Sequence, residues 1–570
     1  MPNAPGAGRE NGPDQYDWVH IEDFSPGCYD AGLISIETPY DNAPIGAAYL
    51  PNTYQCAAIK GGALGPLPAI VFQQALSSWG SLPGSATALY VVGFAVTPRM
   101  TTENWEAIMI QEADDGTHHY VRAYYQQYPA ASLTSISGPT ETVATTPGFF
   151  GAPYPYWTRM TSSGSGNPPP VLVFPTAVAT DSSNPNGHLW VYPELLSPGT
   201  ATAQDLIVSG SSTTGQVLTY GNRVIVATGV GYTHPGDNIN TNENLNYTDP
   251  PESSTYGAQE TVFSIENPWG YGAFGTVSVG ELLMVKKVGG GLIMNGDINA
   301  PTSVIRMPGI QSTGGFVGRA GTTTMGLVYC SQDNGAWVWN GGNTSTKISQ
   351  NINDSFYDLA TGNITSNNFG FFVEQWNKWL MFSNNVMYDT DTGGWWQLYP
   401  NKANGGRDLW WYAVTNTNSQ LATAPLRATS NSDYVLSVFD NTVPSVQYQW
   451  QSLPIHVTPN ASRLLDIRQV VVRASQPDGD PNSVISVILG GVDPATFWSS
   501  ANALGEIGTT PSTLRFNVGY QDAGSPSPGA NGVDDIIIGI FAQNQNAHSA
   551  PIIHSIDVGY QIRQKAPVVN

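Results

Sequence analysis

Stretches of like character recur along this chain at nearly constant spacing. "LWVYPE" begins at Leu189, "WVWNGG" at Trp337, "MYDTDTGG" at Met387 and "VLSVFDN" at Val435, with separations of 148, 50 and 48 residues. Since 148 is roughly three such intervals, two further units belong near positions 238 and 288; "LIMNGDI" at Leu292 fits the second, and the first falls in a polar insertion. A period of about 50 residues is in the range of propeller-type arrays, where each unit hides its apolar side only when the next one stacks against it.

Inside a unit the pattern is that of short antiparallel strands. In "GLVYCSQDNGAWVWNGGNTSTKIS", Leu327 to Ser331 reads as a strand, the Asn-Gly of "QDNG" supplies the positive backbone angles of a tight hairpin, and Ala336 to Asn340 returns. "GG" then turns into a third strand. The stretch "FGFFVEQWNKWLMFSNNVMYDTDTGGWWQLY" repeats the scheme, with four strands parted by "NK", "NN" and "DTGG". Four such strands make one blade. Charged residues are 11% of the chain, well under the roughly 25% usual for soluble domains, whereas Gly (61) and Pro (42) are plentiful. That balance disfavours long helices.

The layout predicts an all-β chain: an extended N-terminal arm (1–66), a β-propeller of six to eight blades (67–443), and a C-terminal β-sandwich (444–570). The arm is rich in Pro and Gly and has no helical period. From position 444 onward, "VQYQWQSLPIHV", "RLLDIRQVVVRAS", "NSVISVILGG", "STLRFNVGYQ", "VDDIIIGIFAQN" and "IIHSIDVGYQI" are strand-like runs with alternating faces, as in a sandwich. The insertion at 232–268 holds Asp237, Glu243, Asp249, Glu252, Glu260 and Glu266 with no Lys or Arg, and reads as a long acidic loop.

A formal net charge of −22 excludes a surface built to hold nucleic acid, which needs Lys and Arg against phosphate. No run approaches the roughly 20 apolar residues that span a bilayer, and the first residues lack a signal-peptide pattern, so synthesis in a cytoplasm and no membrane-spanning segment are expected.

Sites for chemistry are few. Cys28, Cys56 and Cys330 are too scattered for a disulfide framework or a zinc site and read as small core residues. "GYGAFG" at Gly270 to Gly275 has dinucleotide-loop spacing, but a strand rather than a helix follows. Asp478, Asp480 and Asn482 alternate as in half a calcium loop, which then fails at Ser483, where glycine is needed, and at Leu489, where a bidentate Glu is needed. Asp534 and Asp535, like His118 and His119, are adjacent on strands and point to opposite faces. No catalytic, metal-binding or cofactor-binding residue is therefore assigned, no cofactor is expected, and no enzymatic activity is expected. Trp337 and Trp339 share one face and could form a sugar-stacking platform. The recurrence of paired tryptophans at Trp395 and Trp396 and at Trp410 and Trp411 points instead to packing between blades, because a ligand site rarely recurs in every repeat.

The order of parts, with "DFSPGCYDAG" and "GGALGPLP" in the lead-in, "LTYGNRVIVATG" and "GGWWQLY" in the repeats, and "WQSLPIHV" to "IHSIDVGYQI" at the end, resembles the tail nozzle (tubular tail hub) proteins of short-tailed bacteriophages. The resemblance implies a structural virion protein in the tail: a homohexameric ring beside portal, adaptor and tail fibre or spike proteins, whose acidic bore conducts DNA at ejection without binding it. It carries over no catalytic residue. Two other expectations stand beside it: a receptor- or glycan-binding tail adhesin using the sandwich, and a propeller glycosidase.

Overall fold

The computed structural model describes residues 16–36, 43–75, the strands between 88 and 307, 316–352 apart from 332–334 and 342–343, and 373–398 apart from 383–384. It also describes 410–414, 420–425, 434–457, 463–477, 483–489, 503–507, 512–517, and 531–564 apart from 545 and 547. Among these residues the regular structure is almost wholly β, with single turns of 3-10 helix at Leu50–Asn52 and Gln350–Ile352. No helix among them is long and apolar enough to cross a membrane. The all-β expectation holds.

The chain divides into two compact units. The first comprises Met1–Ala69, Asp391–Ala403 and Asn441–Asn570, and the second Ile70–Thr390 and Asn404–Asp440.

In the second unit seven antiparallel sheets follow one another among the described residues. The opening strands of neighbouring sheets touch. Tyr156–Arg159 meets Val217–Tyr220, which meets Ala273–Val279, which meets Phe316–Thr323; Glu374–Trp376 meets Trp410–Val414, which meets Ala88–Val96 of the first sheet. The last sheet, Trp410–Val414, Gln420–Pro425 and Tyr434–Pro444, is completed by Pro68–Ala75 from the other end of the unit. The turn chemistry is as the sequence demands: Gly335 closes the hairpin onto Ser331 with a φ of 78°, and Asn377 and Asn385 take φ values of 53° and 65° in the "NK" and "NN" turns. The stretch 232–268 is not one uninterrupted loop. Asn244–Tyr247 and Phe263–Ser264 within it are the third and fourth strands of a sheet begun by Val217–Tyr220 and Arg223–Ala227; the six carboxylates fall outside the described residues.

The first unit is built on two antiparallel sheets. One runs Gln447–Gln451, Ile538–Asn544, Ser483–Leu489, Ala503–Ile507. In the other, the C-terminal strand Ile552–Gln564 pairs on one side with Arg463–Ser475, which in turn pairs with Ser512–Asn517 and Asn531–Val533. Its free side takes the N-terminal strand Asp17–Ile21 and Leu64–Pro66. The strands Asp17–Ile21 and Leu64–Pro66 of the lead-in thus belong to this sheet. The alternation of "DWVHI" explains why: Val19 and Ile21 are buried, and an extended segment with one apolar face lowers its free energy by completing a sheet. Ile467, Val470, Val472, Ile485, Ile538, Ile540, Ile556 and Val558 form the buried inner rows, and Phe24 packs edge-on against Trp450 at 5.3 Å.

Candidate functional site

Side-chain alternation decides which residues of each strand of the larger sheet share a face, since Ser555 to Tyr560 are all buried. On the C-terminal strand Ile556 and Val558 face the core, leaving Asp557, Gly559 and Gln561 on the other side. Register then brings together residues from four strands. One row reads Trp18, Gly559, Gln469, Asn517; the next reads His20, Asp557, Val471, Arg515. Arg473, opposite Ser555, opens a third row.

Gly559 shapes the centre of this face. A Cβ placed there would lie 3.2 to 3.3 Å from the Cη2, Cζ2 and Cζ3 atoms of Trp18, so the indole lies down on the bare backbone of the neighbouring strand. Trp18 is nonetheless 37% exposed, the largest aromatic among the exposed hydrophobic residues described, and Tyr16 meets its ring edge-on at 6.5 Å.

Polar groups fringe the ring. His20 Nδ1 lies 2.8 Å from Asp557 Oδ1, and Arg473 Nη2 lies 3.8 Å from Asp557 Oδ2. Past Gln469, the buried carboxylate of Asp466 accepts from Arg563 Nη2 (2.7 Å), Arg468 Nη2 (3.1 Å) and the Gly532 amide (2.9 Å), while Arg468 Nε donates to Gln561 Oε1 (3.2 Å). A buried carboxylate is tolerable when so paired, and its loss of freedom fixes both guanidiniums in place. An exposed flat ring with fixed donors and acceptors around it can hold a ligand that is apolar on one side and hydroxylated at its rim.

The residues singled out in the sequence are not brought together. Asp535 is held by His456 Nδ1 at 2.7 Å, while Asp534 beside it is exposed. Asp478, Asp480 and Asn482 lie outside the described residues, as do the side chains of His118, His119, Cys330, Trp410 and Trp411. Gly270–Gly275 leads into the strand Ala273–Val279 and opens no helix. No group of three or more metal-ligating side chains occurs among the described residues. Trp339, Trp395 and Trp396 are fully buried and offer no platform; Trp337 is half-buried, with Lys347 Nζ 6.0 Å from its ring centre. Trp395 belongs to the first unit, where its backbone abuts Gly27.

Cys28 and Cys56 are buried free thiols. Burial pushes both well above the ordinary range, helped by Asp30 at Cys28 and by Cys28 at Cys56. The folded unit therefore keeps protons that the unfolded chain releases above about pH 8.5, so stability is whole below that pH and falls as pH rises. We expect iodoacetamide at pH 8 to modify these two cysteines at least about a hundredfold more slowly in the native than in the urea-unfolded protein, with peptide mapping as the readout. Equal rates would contradict the burial.

Sequence reasoning missed Trp18 and its partners. The signal available was local only in part: the alternation of "DWVHI" and the glycine inside "IDVGYQI", which marks a strand that something approaches closely.

No protein-family model matches the chain, and no curated protein does. Solved structures similar to it include a putative 6-phosphogluconolactonase from Bacteroides uniformis ATCC 8492, 13% identical over 62% of this chain and 94% of that one, with a TM-score of 0.33. Trypanosoma rangeli sialidase in complex with sialic acid is 9% identical over 86% and 95%, with a TM-score of 0.30. Penicillium chrysogenum α-L-arabinanase complexed with arabinobiose is 11% identical over 67% and 99%, with a TM-score of 0.31. Beside these matches, which carry the names of a lactonase, a sialidase and an arabinanase, two expectations are corrected: neither the DNA-conducting tail ring nor the exclusion of enzymatic activity is retained. At such identities and TM-scores they lend this chain no residue and no reaction.

Proposed function

We propose that this protein recognises carbohydrate on the outer face of its larger first-unit sheet, with Trp18 as the platform. The observation that carries the reading is the Trp18 indole lying against Gly559 while the residue stays 37% exposed, in rows shared with polar side chains of the neighbouring strands. A pyranose has an apolar side of C–H groups that stacks on a ring and a rim of hydroxyls that needs donors and acceptors. His20, Gln469 and Gln561 supply the latter. In the same reading the two first-unit sheets form a β-sandwich, and the seven sheets of the second unit are the blades of a seven-bladed propeller closed by Pro68–Ala75.

A structural role for the indole is the competing account, since an aromatic laid across a strand glycine covers exposed backbone. Binding separates the two. Calorimetric titration against a panel of soluble oligosaccharides is expected to find a ligand whose affinity falls at least about tenfold, roughly 1.4 kcal/mol, in Trp18→Ala. Trp18→Phe, which still covers the glycine, should retain part of that affinity. An unchanged affinity in Trp18→Ala, or no saccharide bound by the native protein, overturns the proposal.

A further inference from the structure

We infer that the saccharide this face takes is anionic, carrying carboxylate or sulfate groups; the inference rests on the carbohydrate reading above. Over the whole chain acidic residues outnumber basic ones two to one, 43 against 21. On this face the ratio is reversed. Among the residues of the paired strands, Arg468, Arg473, Arg515 and Arg563 stand there with His20, against the two carboxylates of Asp466 and Asp557, with exposed Glu22 just past the end of the Asp17–Ile21 strand. Both carboxylates are already engaged, Asp466 by Arg468 and Arg563, and Asp557 by His20 and Arg473.

The guanidiniums are not consumed by those contacts. The side chains of Arg473 and Arg563 are 60% and 56% exposed, and Arg515, on the outermost strand, is exposed and forms no salt bridge among the described residues. All four are arginine, whose planar fork pairs with a carboxylate or sulfate through two parallel hydrogen bonds, where lysine offers only a point charge. Trp18 and Arg515 lie on strands three spacings apart, about 14 Å at the usual interstrand distance. That width suits a short oligosaccharide stacked on the indole at one end and anchored through its acid groups at the other.

Nucleic acid is the other polyanion to consider. A duplex presents charge far beyond this face and meets the field of a chain at −22, whereas a short acidic sugar meets only the local arginines.

The experiment uses the full chain and matched pairs of ligands: polygalacturonate fragments against the same fragments with every carboxylate methyl-esterified, chondroitin sulfate against desulfated chondroitin, and a duplex DNA of similar length. The free-acid or sulfated member of at least one pair should bind about tenfold more tightly than its neutralised or desulfated counterpart, and raising salt from 50 to 200 mM should weaken it severalfold. Arg515→Gln should lose several-fold in affinity for the anionic member alone, with an unchanged melting temperature, while Trp18→Ala should weaken both members. Equal binding within every pair overturns the anionic preference and leaves the carbohydrate reading standing. Failure of every saccharide to bind overturns both. Duplex DNA bound as tightly as the best saccharide overturns the choice of ligand class.

Discussion

Gly46→Ala is expected to remove most of the stability of the first unit, with a loss of at least about 4 kcal/mol or a failure to fold. Gly46 is the third residue of a turn in which the Ala47 amide donates to the Pro44 carbonyl (3.1 Å), and its φ of 94° lies where a side chain is disfavoured. That alone costs about 1 kcal/mol. The larger part is contact, because a Cβ at this position would run into the carbonyl oxygen of Asp23. Asp23 has nowhere to go: the next residue, Phe24, is wholly buried against Trp450, and its amide is tied to the Gly62 carbonyl at 2.8 Å. Gly61→Ala is the control. Its φ of 88° is similar and nothing lies within 4 Å of an added Cβ, so it should cost only the conformational part. Thermal unfolding of the two variants side by side decides the matter; equal melting temperatures would mean that the Asp23 backbone yields easily.

Lys378→Met should cost the second unit about 3 to 5 kcal/mol. Lys378, in the two-residue turn between Trp376 and Trp379, places Nζ 2.7 Å from Asp389 Oδ2 and 4.7 Å from the centre of the Trp379 ring. The Asp389 side chain is 0% exposed. Removing the ammonium takes away the counter-charge of a carboxylate in a medium that solvates it poorly, which is why breaking such a pair is far worse than never having made it. Met keeps the length of the stem and its packing on the indole, so the loss reads the charge. Lys378→Met combined with Asp389→Leu should recover a large share of it, a coupling measurable in a double-mutant cycle by urea unfolding. A single-variant loss below about 1 kcal/mol, the value of a surface pair, would show that water reaches the carboxylate.

What could be read from the sequence was what is local. Leu189, Leu292, Trp337, Met387 and Val435, the markers of the repeat, each fall in the third strand of a sheet: His188–Pro193, Gly290–Asp297, Gly335–Trp339, Val386–Asp389 and Tyr434–Pro444. The unit missing near position 238 is the third strand Asn244–Tyr247. Third strands, like second ones, have a neighbour on both edges, and inner strands of this kind are filled by apolar residues. Turn residues were legible for the same reason, Asn377 and Asn385 acting on their own backbone. The N-terminal segment was not: its partner strand lies more than 500 residues away, and no local pattern records whom an edge will join. The candidate site was illegible for that reason too, since Trp18, Gln469, Arg515 and Asp557 become neighbours only through register.

The same pairing sets an order on biosynthesis. The His20–Asp557 contact spans 537 residues, and Pro68–Ala75 must wait for Tyr434–Pro444. On the ribosome, then, the first strands of both units emerge long before the edges they will occupy, and each stays exposed with half its backbone unsatisfied while the intervening chain is translated. A nascent chain halted short of Tyr434–Pro444 would complete neither unit's sheets as they stand here, one halted between that strand and Ile552–Gln564 would still lack the first unit's, and either would be a natural client for chaperones that shield extended apolar segments.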